Sequence, residues 1–279
     1  MKYNLGIIGH GIVGSAVEYG FKNENIFIYD KFKKTLTLAE VANKAEYIFV
    51  CVPTPIKDDY SGIDLSIVEE NIDELAQLVK GTDKIIVIKS TIVPGTTTKF
   101  EKKYPEVKFA FNPEFLTEAN YLEDFIKADR HIIGASDYDV SSRLMSLYKS
   151  HFPNTPIYQT SPTAAEMAKY MANCYLATKV LFANEMFEIC QKLGVYYPDV
   201  KNLVVTDHRI YNSHLDITPE RGFGGKCFPK DMLALRGEAK KLGVQTNLMD
   251  AVWDKNINIR RKRDWEEIPF AVSKTKGNK

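Results

Sequence analysis

The sequence predicts an α/β protein in which a doubly wound parallel sheet is followed by an all-helical domain with one long helix. Three observations predict this class. A glycine-rich turn follows the opening apolar run, further apolar runs alternate with helical stretches over residues 1–160, and an unbroken helical pattern then extends from Pro162 to Gly194. The first two observations are typical of a Rossmann-type, nucleotide-binding domain.

The first strand and the turn after it form the strongest local pattern in the N-terminal half. Residues 2–8 are a short, mainly apolar run, and the turn Gly9-His10-Gly11-Ile12-Val13-Gly14 follows directly. In a βαβ unit the first glycine makes the tight turn, the second lets a pyrophosphate approach the backbone, and the third lets the helix pack on the strand. The N-terminus of that helix then binds the phosphates.

The second strand supplies the context that the glycine pattern needs. It is predicted at Ile26–Tyr29 and ends in Asp30, about twenty residues after the glycines, where a carboxylate binds the adenosine ribose. Because Asp30 repels a 2′-phosphate, NAD is favoured over NADP as the cofactor. Three neighbouring lysines keep the NADP alternative open, namely Lys31, Lys33 and Lys34.

The remaining elements complete two domains. Further strands are predicted at 47–52, 84–89, 108–111 and 131–134, and helices at 198–206, 229–242 and 247–263. Ser161 caps the long helix, which at 1.5 Å per residue spans roughly 45 Å, a length that suits a domain linker or a dimer interface. We therefore assign 1–160 to an NAD-binding domain, 161–263 to a helical central and dimerisation domain, and 264–279 to a polar, disordered tail.

Composition limits the functional class. The 279 residues include 44% hydrophobic residues, but no apolar run approaches the ~18 residues of a membrane helix, and the start shows no secretion pattern. A net charge of +1 provides no general field for nucleic acid, and the basic run at 260–263 is typical of a helix C-terminus. The four cysteines have no paired spacing, so neither a metal site nor a disulfide framework is expected, and a cytoplasmic location fits.

One cysteine lies in a setting that suits covalent chemistry. Cys227 follows the turn Gly222-Phe223-Gly224-Gly225 and precedes Pro229, which suits the first turn of a helix. Unpaired N–H groups at a helix N-terminus stabilise a thiolate, which is the nucleophilic form of the thiol, and Lys226 and Lys230 act in the same direction. The alternative is an inert, buried cysteine beside a turn.

Six segments follow one another over residues 1 to about 263, namely Gly9–Gly14, Val50–Pro55 with Asp64–Ser66, Lys89–Gly95, Asn112–Glu118, Glu166–Asn173 and Gly222–Asp231. Together they resemble the UDP-glucose/GDP-mannose dehydrogenase family. The Gly-Phe-Gly-Gly turn is more similar to the UDP-glucose 6-dehydrogenase branch. Members of that family continue beyond the region of 247–263 into a third domain that binds part of the UDP, and we expect that domain to be absent here.

The resemblance implies which residues bind the cofactor and the substrate. The substrate would be a nucleotide sugar, most similar to UDP-glucose, and the protein would form a homodimer through the long helix. Arg209 matches an arginine that crosses the dimer interface to the partner's substrate, whereas Phe115, Leu116 and Phe223 are equally explained as core packing. For NAD, the implied residues are Gly9, Gly11, Ile12, Val13, Gly14, Asp30, Val52, Pro53, Thr54, Thr91 and Glu118. For the substrate, they are Phe115, Leu116, Lys169, Asn173, Arg209, Phe223 and Gly224.

The resemblance also implies a four-electron oxidation with two NADH per sugar. Cys227 would bind the C6 aldehyde and carry the thioester, and Lys169 and Asn173 would stabilise the oxyanion. Lys169 and Asn173 are four residues apart and so share one helix face, where the ordinary reading is a solvated surface. A water molecule for hydrolysis would be bound or activated by the remaining catalytic candidates, Glu114, Glu118, Thr91 and Asp231.

Other functions stay open on the sequence alone. A related hydroxyacid dehydrogenase would have a similar first domain and a lysine on the long helix but no cysteine nucleophile. The sugar nucleotide could be GDP-mannose or a UDP-N-acetylhexosamine. A relative without turnover that binds NAD and needs a partner chain is the alternative outside enzymes.

Overall fold

The structure is a computed structural model that describes residues 2–273. The chain forms two compact units. The first comprises the residues up to Thr54 together with Leu65–Lys169, and the second comprises Pro55–Asp64 and the residues from Tyr170 onward. The unit boundary therefore lies near residue 170, inside the long helix, and a ten-residue excursion from the first half of the chain belongs to the second unit.

The first unit contains one seven-stranded sheet with the strand order β2-β1-β3-β4-β5-β6-β7. All neighbouring strands pair in parallel except β5 and β6. The strands are β1 (Asn4–Ile8), β2 (Asn25–Tyr29), β3 (Tyr47–Val50), β4 (Ile85–Ile88), β5 (Lys108–Phe111), β6 (His131–Gly134) and β7 (Ile157–Thr160).

Helices cover both faces of this sheet, which confirms the predicted doubly wound α/β class. Successive strand residues face opposite sides because the side-chain period of a strand is two. Ile48 and Val50 thus join the core beneath α2, α3 and α4, whereas Tyr47 and Phe49 join the core beneath α1 and α6. The helices are α1 (Ile12–Gly20), α2 (Leu38–Lys44), α3 (Ser66–Val79), α4 (Thr96–Lys103), α5 (Tyr121–Ile126) and α6 (Tyr138–His151).

The sheet departs from the prediction at its far edge. β5 and β6 run antiparallel with one register pair, Phe111 opposite Gly134, and β7 was not predicted. Strands buried on both faces are apolar runs whatever their direction, so the pattern carries no information on orientation. β7 is short and half exposed, with a polar residue at Gln159, and therefore lacks the apolar run by which the other strands were recognised.

The second unit is mainly helical. The long helix α7 (Pro162–Leu193) was predicted, and its N-terminus is capped by Ser161, whose Oγ accepts a hydrogen bond from the Ala164 N–H at 3.3 Å. The part of α7 from Tyr170 onward packs with α9 and α10 around buried apolar side chains that include Phe223, Trp253 and Trp265. The other helices are α8 (Tyr197–Val204), α9 (Cys227–Lys241) and α10 (Asn247–Ile259).

The segment after α10 is ordered where we predicted a disordered tail. A short 3-10 helix occupies Asp264–Glu266, and Trp265 within it is completely buried. Ile56 donates its N–H to the Ala271 carbonyl and accepts a hydrogen bond from the Ser273 N–H. The prediction was wrong for 264–273 because one tryptophan supplies enough apolar area to fix a polar segment. The rest of the predicted tail, 274–279, lies outside the described residues.

Candidate active site

The glycine turn after β1 has the geometry that a dinucleotide needs. Gly9 has φ = 88°, which favours glycine. A Cβ atom on Gly14 would lie 2.1 Å from the Gly9 carbonyl oxygen, whereas a Cβ on Gly11 would have no neighbour within 4 Å. The turn is thus closed on the helix side and open at Gly11, directly before α1 begins at Ile12, so a pyrophosphate fits at the helix N-terminus.

Asp30 lies directly after β2, beside the same turn. Its Oδ2 accepts a hydrogen bond from the His10 N–H at 2.8 Å, and its Oδ1 accepts one from the Phe32 N–H at 2.9 Å. The carboxylate is therefore oriented by backbone donors next to the phosphate turn, and its remaining lone pairs suit ribose hydroxyls. Lys33 also approaches the turn and donates to the His10 carbonyl oxygen. These residues fit NAD.

The other predicted cofactor residues follow the carboxyl ends of neighbouring strands. Val52, Pro53 and Thr54 come after β3, and Thr91 comes after β4. The Ser90 Oγ donates to the Val52 carbonyl oxygen at 2.7 Å and so joins the two segments. Ligands of open α/β sheets bind at this edge, which supports the predicted positions.

The structure places Glu114 and Lys169 in direct contact within the first unit. The Lys169 Nζ lies 3.0 Å from the Glu114 Oε1 and 2.6 Å from the Glu114 carbonyl oxygen, and the side chains of Lys169 and Glu114 are only 4% and 10% exposed. The Glu114 Oε2 accepts a hydrogen bond from the Leu116 N–H at 2.8 Å, and Lys169 lies over the Phe115 ring. Hence Phe115 and Leu116 shape the surroundings of the pair. Glu114 and Glu118 precede α5 in a loop rather than in a first helical turn.

A buried polar cluster next to Glu114 was missed by our sequence reasoning. Lys89 is 3% exposed and donates to the Asn112 Oδ1 at 2.7 Å, and the Tyr148 hydroxyl donates to the same oxygen. Burial lowers the pKa of Lys89 to about 8, against the opposing influence of Cys51 and Glu114, and burial raises the pKa of the Cys51 thiol to about 12. Lys89 and Asn112 both lie in the segments that carried the resemblance, and that was their only sign in the sequence.

Glu166 is a second missed residue in the first unit. It is completely buried on α7, and its carboxylate accepts hydrogen bonds from the Gly95 N–H, the Thr97 N–H and the Thr97 hydroxyl. Burial raises the pKa of Glu166, although these hydrogen bonds oppose the rise. The carboxylate therefore caps the N-terminus of α4, directly after the loop that contains Thr91.

In the second unit, Cys227 is the first residue of α9 and is partly exposed, and the other three cysteines are buried. Asp231 lies one helical turn further along and is completely buried. Its two carboxylate oxygens accept hydrogen bonds from the Asn173 Nδ2 and the Lys230 Nζ. The predicted residues Asn173 and Asp231 are thus in contact, and Lys230 is an additional partner.

The remaining substrate candidates differ in placement. Phe223 is buried in the core, where its ring contacts Phe228 and Trp253, so its side chain serves packing. Gly224 has no room for a side chain, because a Cβ would lie 2.3 Å from the Arg260 Nη2. Arg209 is largely exposed, and its guanidinium binds the Asp207 carboxylate.

Residues 2–273 were searched for a metal-binding cluster and for a membrane-spanning helix. In that range no group of three or more His, Cys, Asp and Glu side chains is arranged to bind a metal ion. The same residues include no helix whose length and apolar character would let it cross a membrane.

Comparison with known proteins identifies the family. Residues 16–152 match the NAD-binding domain of the UDP-glucose/GDP-mannose dehydrogenase family, and residues 163–258 match its central domain. The chain belongs to the UDP-glucose/GDP-mannose dehydrogenase family. The predicted resemblance and the NAD cofactor are thereby confirmed for this family of NAD-dependent nucleotide-sugar dehydrogenases.

Individual relatives show how far the similarity extends. The UDP-glucose 6-dehydrogenase of Rickettsia bellii is 37% identical over 232 residues, which are 80% of this chain and 52% of the relative. The structure of a UDP-glucose dehydrogenase from Pyrobaculum islandicum superposes with a TM-score of 0.83 at 30% identity, covering 92% of this chain and 68% of that one. The chain spans about half the length of the curated relatives it matches.

A more distant similarity concerns the fold alone. The 3-hydroxyisobutyrate dehydrogenase of Mycobacterium tuberculosis superposes with a TM-score of 0.75 over 97% of both chains, but only 13% of the residues are identical. A Rossmann-type domain followed by a long helix is therefore common to this chain and that hydroxyacid dehydrogenase. The fold does not distinguish a nucleotide-sugar dehydrogenase from a hydroxyacid dehydrogenase, so the residues around Cys227 are the evidence that matters.

Proposed function

We propose that this chain catalyses the NAD-dependent oxidation of C6 of UDP-glucose to a carboxylate, with two NADH formed per sugar. One observation carries the proposal. Cys227 is partly exposed at the first residue of α9, and one turn later Asp231 is buried and bound by Asn173 and Lys230. A buried carboxylate held by an amide and a cation beside a cysteine is an arrangement for covalent catalysis.

Each of the two oxidations removes a hydride from C6, and a separate NAD molecule accepts each hydride. The first oxidation converts the C6 alcohol to an aldehyde and releases a proton. The Lys169 ammonium and the Asn173 amide are the proposed donors to the C6 oxygen as negative charge develops on it. Lys169 suits this role because Glu114 and the backbone already orient its ammonium.

The Cys227 thiolate then bonds to the aldehyde carbon, and the carbonyl oxygen takes a proton to give a thiohemiacetal. The second oxidation converts this adduct to a thioester on Cys227. A water molecule attacks the thioester carbon, the C–S bond breaks, and the thiol is regenerated as the uronic acid leaves. Asp231 and Glu114 are the proposed groups that orient or deprotonate this water, with Thr91 and Glu118 as further ligands to it.

UDP-glucose is the proposed substrate because relatives that are 37% identical to this chain are named UDP-glucose 6-dehydrogenase and because the turn before Cys227 is Gly-Phe-Gly-Gly. GDP-mannose and UDP-N-acetylhexosamines are the alternatives, since solved dehydrogenases of those sugars share the fold at lower identity. The remaining alternative is a protein that binds NAD but does not catalyse the reaction unless a partner chain is present. A cytoplasmic location is proposed because a working thiol needs a reducing compartment.

We also propose a homodimer through α7. In the part of α7 from Tyr170 onward, five large apolar side chains are exposed at spacings of four and seven residues, which places them on one stripe of the helix surface. A second copy of the chain is the proposed occupant, because a continuous stripe on one helix suits the same stripe of a symmetric partner. The residues are Met171, Tyr175, Phe182, Ile189 and Leu193.

The test is a count of NADH per sugar consumed. The purified chain is incubated with NAD and, separately, with UDP-glucose, GDP-mannose and a UDP-N-acetylhexosamine, and Cys227→Ser serves as the matched variant. We expect two NADH per UDP-glucose, lost in Cys227→Ser. A turnover that survives in Cys227→Ser would favour a simple dehydrogenase, and NAD binding without NADH from any sugar nucleotide would refute the proposed enzyme.

A further inference from the structure

The glycine-rich turn before Cys227 is held by polar side chains from distant parts of the chain. On α7, the Asn184 Oδ1 accepts a hydrogen bond from the Gly222 N–H at 3.3 Å. On α10, the Asn256 Oδ1 accepts one from the Phe223 N–H at 2.8 Å, and the Asn256 Nδ2 donates to the Phe223 carbonyl oxygen at 3.1 Å. These contacts fix the beginning of the turn, five and four residues before the thiol.

The end of the turn is held by Asp264, which lies in the segment after α10. The Asp264 Oδ2 accepts a hydrogen bond from the Gly225 N–H at 3.1 Å and lies 3.2 Å from the Arg260 Nη2. Arg260 in turn donates to the Arg221 carbonyl oxygen at 2.9 Å. The ion pair therefore contacts the backbone at both ends of the turn. It also lies against the middle, because a Cβ on Gly224 would be 2.3 Å from both Arg260 and Asp264.

Asp264 is itself held in place by packing. Its neighbour Trp265 is completely buried, with its ring 6.0 Å from that of Trp253. Glu266 accepts a hydrogen bond from the Tyr60 hydroxyl. A carboxylate directly before two such anchored residues is preorganised, so its hydrogen bond to Gly225 costs little further entropy.

We propose that Asp264 is a positioning residue for Cys227, acting through the Gly225 N–H. The inference rests on the proposed function, in which Cys227 is the nucleophile. Gly225 has φ = 73° and is two residues before Cys227, so its orientation sets where α9 begins. The N–H groups of the first turn of a helix favour the thiolate of a cysteine placed there. The hydrogen bond from Gly225 thus keeps the sulfur in its reactive setting.

Three substitutions separate position from charge. Asp264→Ala removes the acceptor, and Asp264→Glu keeps the charge and displaces the acceptor by one methylene. Asp264→Asn keeps an acceptor oxygen at the same place but loses the charge. Asp254→Ala is the matched control, since Asp254 is an exposed carboxylate on α10. A cooperative thermal unfolding transition will serve as the check that each variant is folded.

The first measurement is the rate of alkylation of Cys227 by iodoacetamide at pH 7, followed by mass spectrometry of its peptide. We expect alkylation to slow about tenfold in Asp264→Ala and Asp264→Glu, as for the loss of one hydrogen bond, and to stay within about twofold of wild type in Asp264→Asn and the control. The second measurement is steady-state turnover, where kcat should fall by a similar factor while KM for NAD and for UDP-glucose is unchanged.

The two measurements distinguish the failure of this inference from the failure of the proposed function. Alkylation that is unchanged or faster in Asp264→Ala, or equally slow in Asp264→Asn, would overturn the role of Asp264. If the wild-type chain forms no NADH while the variants show the expected order of alkylation rates, the proposed enzyme is refuted and the positioning role of Asp264 stands. If Asp264→Ala forms two NADH per sugar at the wild-type rate, the proposed enzyme stands and the positioning role of Asp264 is refuted.

Discussion

Replacing Glu166 by Gln tests whether a buried carboxylate on α7 stabilises the first unit by capping α4. In the wild type, one carboxylate oxygen accepts from the Gly95 N–H and the other from the Thr97 N–H and hydroxyl. Gln keeps the second oxygen as a carbonyl but places an NH₂ group against the Gly95 N–H, so two donors face each other.

The expected loss follows from this single unsatisfied contact. An unpaired, partly buried N–H costs about 1–2 kcal/mol, so Glu166→Gln should lower the free energy of unfolding by that amount. Glu166→Ala also removes the acceptor of Thr97, which is completely buried, and leaves a void, so a loss of about 3–5 kcal/mol is expected. This is a large share of the ~5–15 kcal/mol that stabilises a typical domain.

The assay is urea unfolding at pH 7 and at mildly acidic pH, with Glu70→Gln as control, because Glu70 is an exposed carboxylate on α3 of the same unit. Burial raises the pKa of Glu166 above its unfolded value, so its contribution to stability is present below the unfolded pKa and is lost as pH rises through the folded pKa. The advantage of wild type over Glu166→Gln should therefore be largest at acidic pH. Equal stability of Glu166→Gln and wild type at both pH values would refute the capping role.

Three further outcomes are expected. Burial lowers the pKa of Lys89 from 10.5 to about 8, so the unfolded state binds a proton more readily than the folded state between these pH values. The free energy of unfolding of wild type relative to Lys89→Met should therefore rise by up to about 3 kcal/mol from pH 8 to pH 10.5, as measured by urea unfolding. Trp265→Ala should cost about 3–5 kcal/mol in the same assay, since the ring is completely buried, and an effect below ~1 kcal/mol would contradict its core position. Phe182→Glu should convert a dimer to a monomer in light scattering after gel filtration, whereas the exposed control Lys192→Glu should not.

The parts of the fold that follow from local periodicity and turn chemistry could be predicted from the sequence. The glycine turn, Asp30 and the helix that begins at Pro162 each depend on neighbours within a few residues. The direction of β6 and the burial of Trp265 depend instead on contacts between distant residues. The composition of an apolar run does not show whether the strand is parallel or antiparallel to its neighbour. A single tryptophan in a polar stretch likewise does not show whether its side chain is buried or exposed.

The candidate site divides along the same line. Glu114, Lys169, Asn173 and Asp231 were predicted because their segments resemble a family, and the structure then showed the pairs Glu114–Lys169 and Asn173–Asp231. Lys89 and Glu166 begin two of those segments, but neither was predicted to have a role. A charged residue in an amphipathic pattern is assigned to solvent by default, and only the fold shows that its partners are buried with it.

The cysteine turn shows why such a site needs buried polar residues at all. Gly222 and Gly225 have positive φ angles, so the turn cannot continue a helix or a strand, and its N–H groups have no regular partner. Buried N–H groups without acceptors would cost about 1–3 kcal/mol each. The chain supplies Asn184, Asn256 and Asp264 as acceptors from positions 33 to 39 residues away. A buried glycine-rich turn therefore demands asparagine or aspartate on otherwise apolar helix faces nearby, and an isolated Asn or Asp on such a face is the feature to look for when a reactive cysteine follows such a turn.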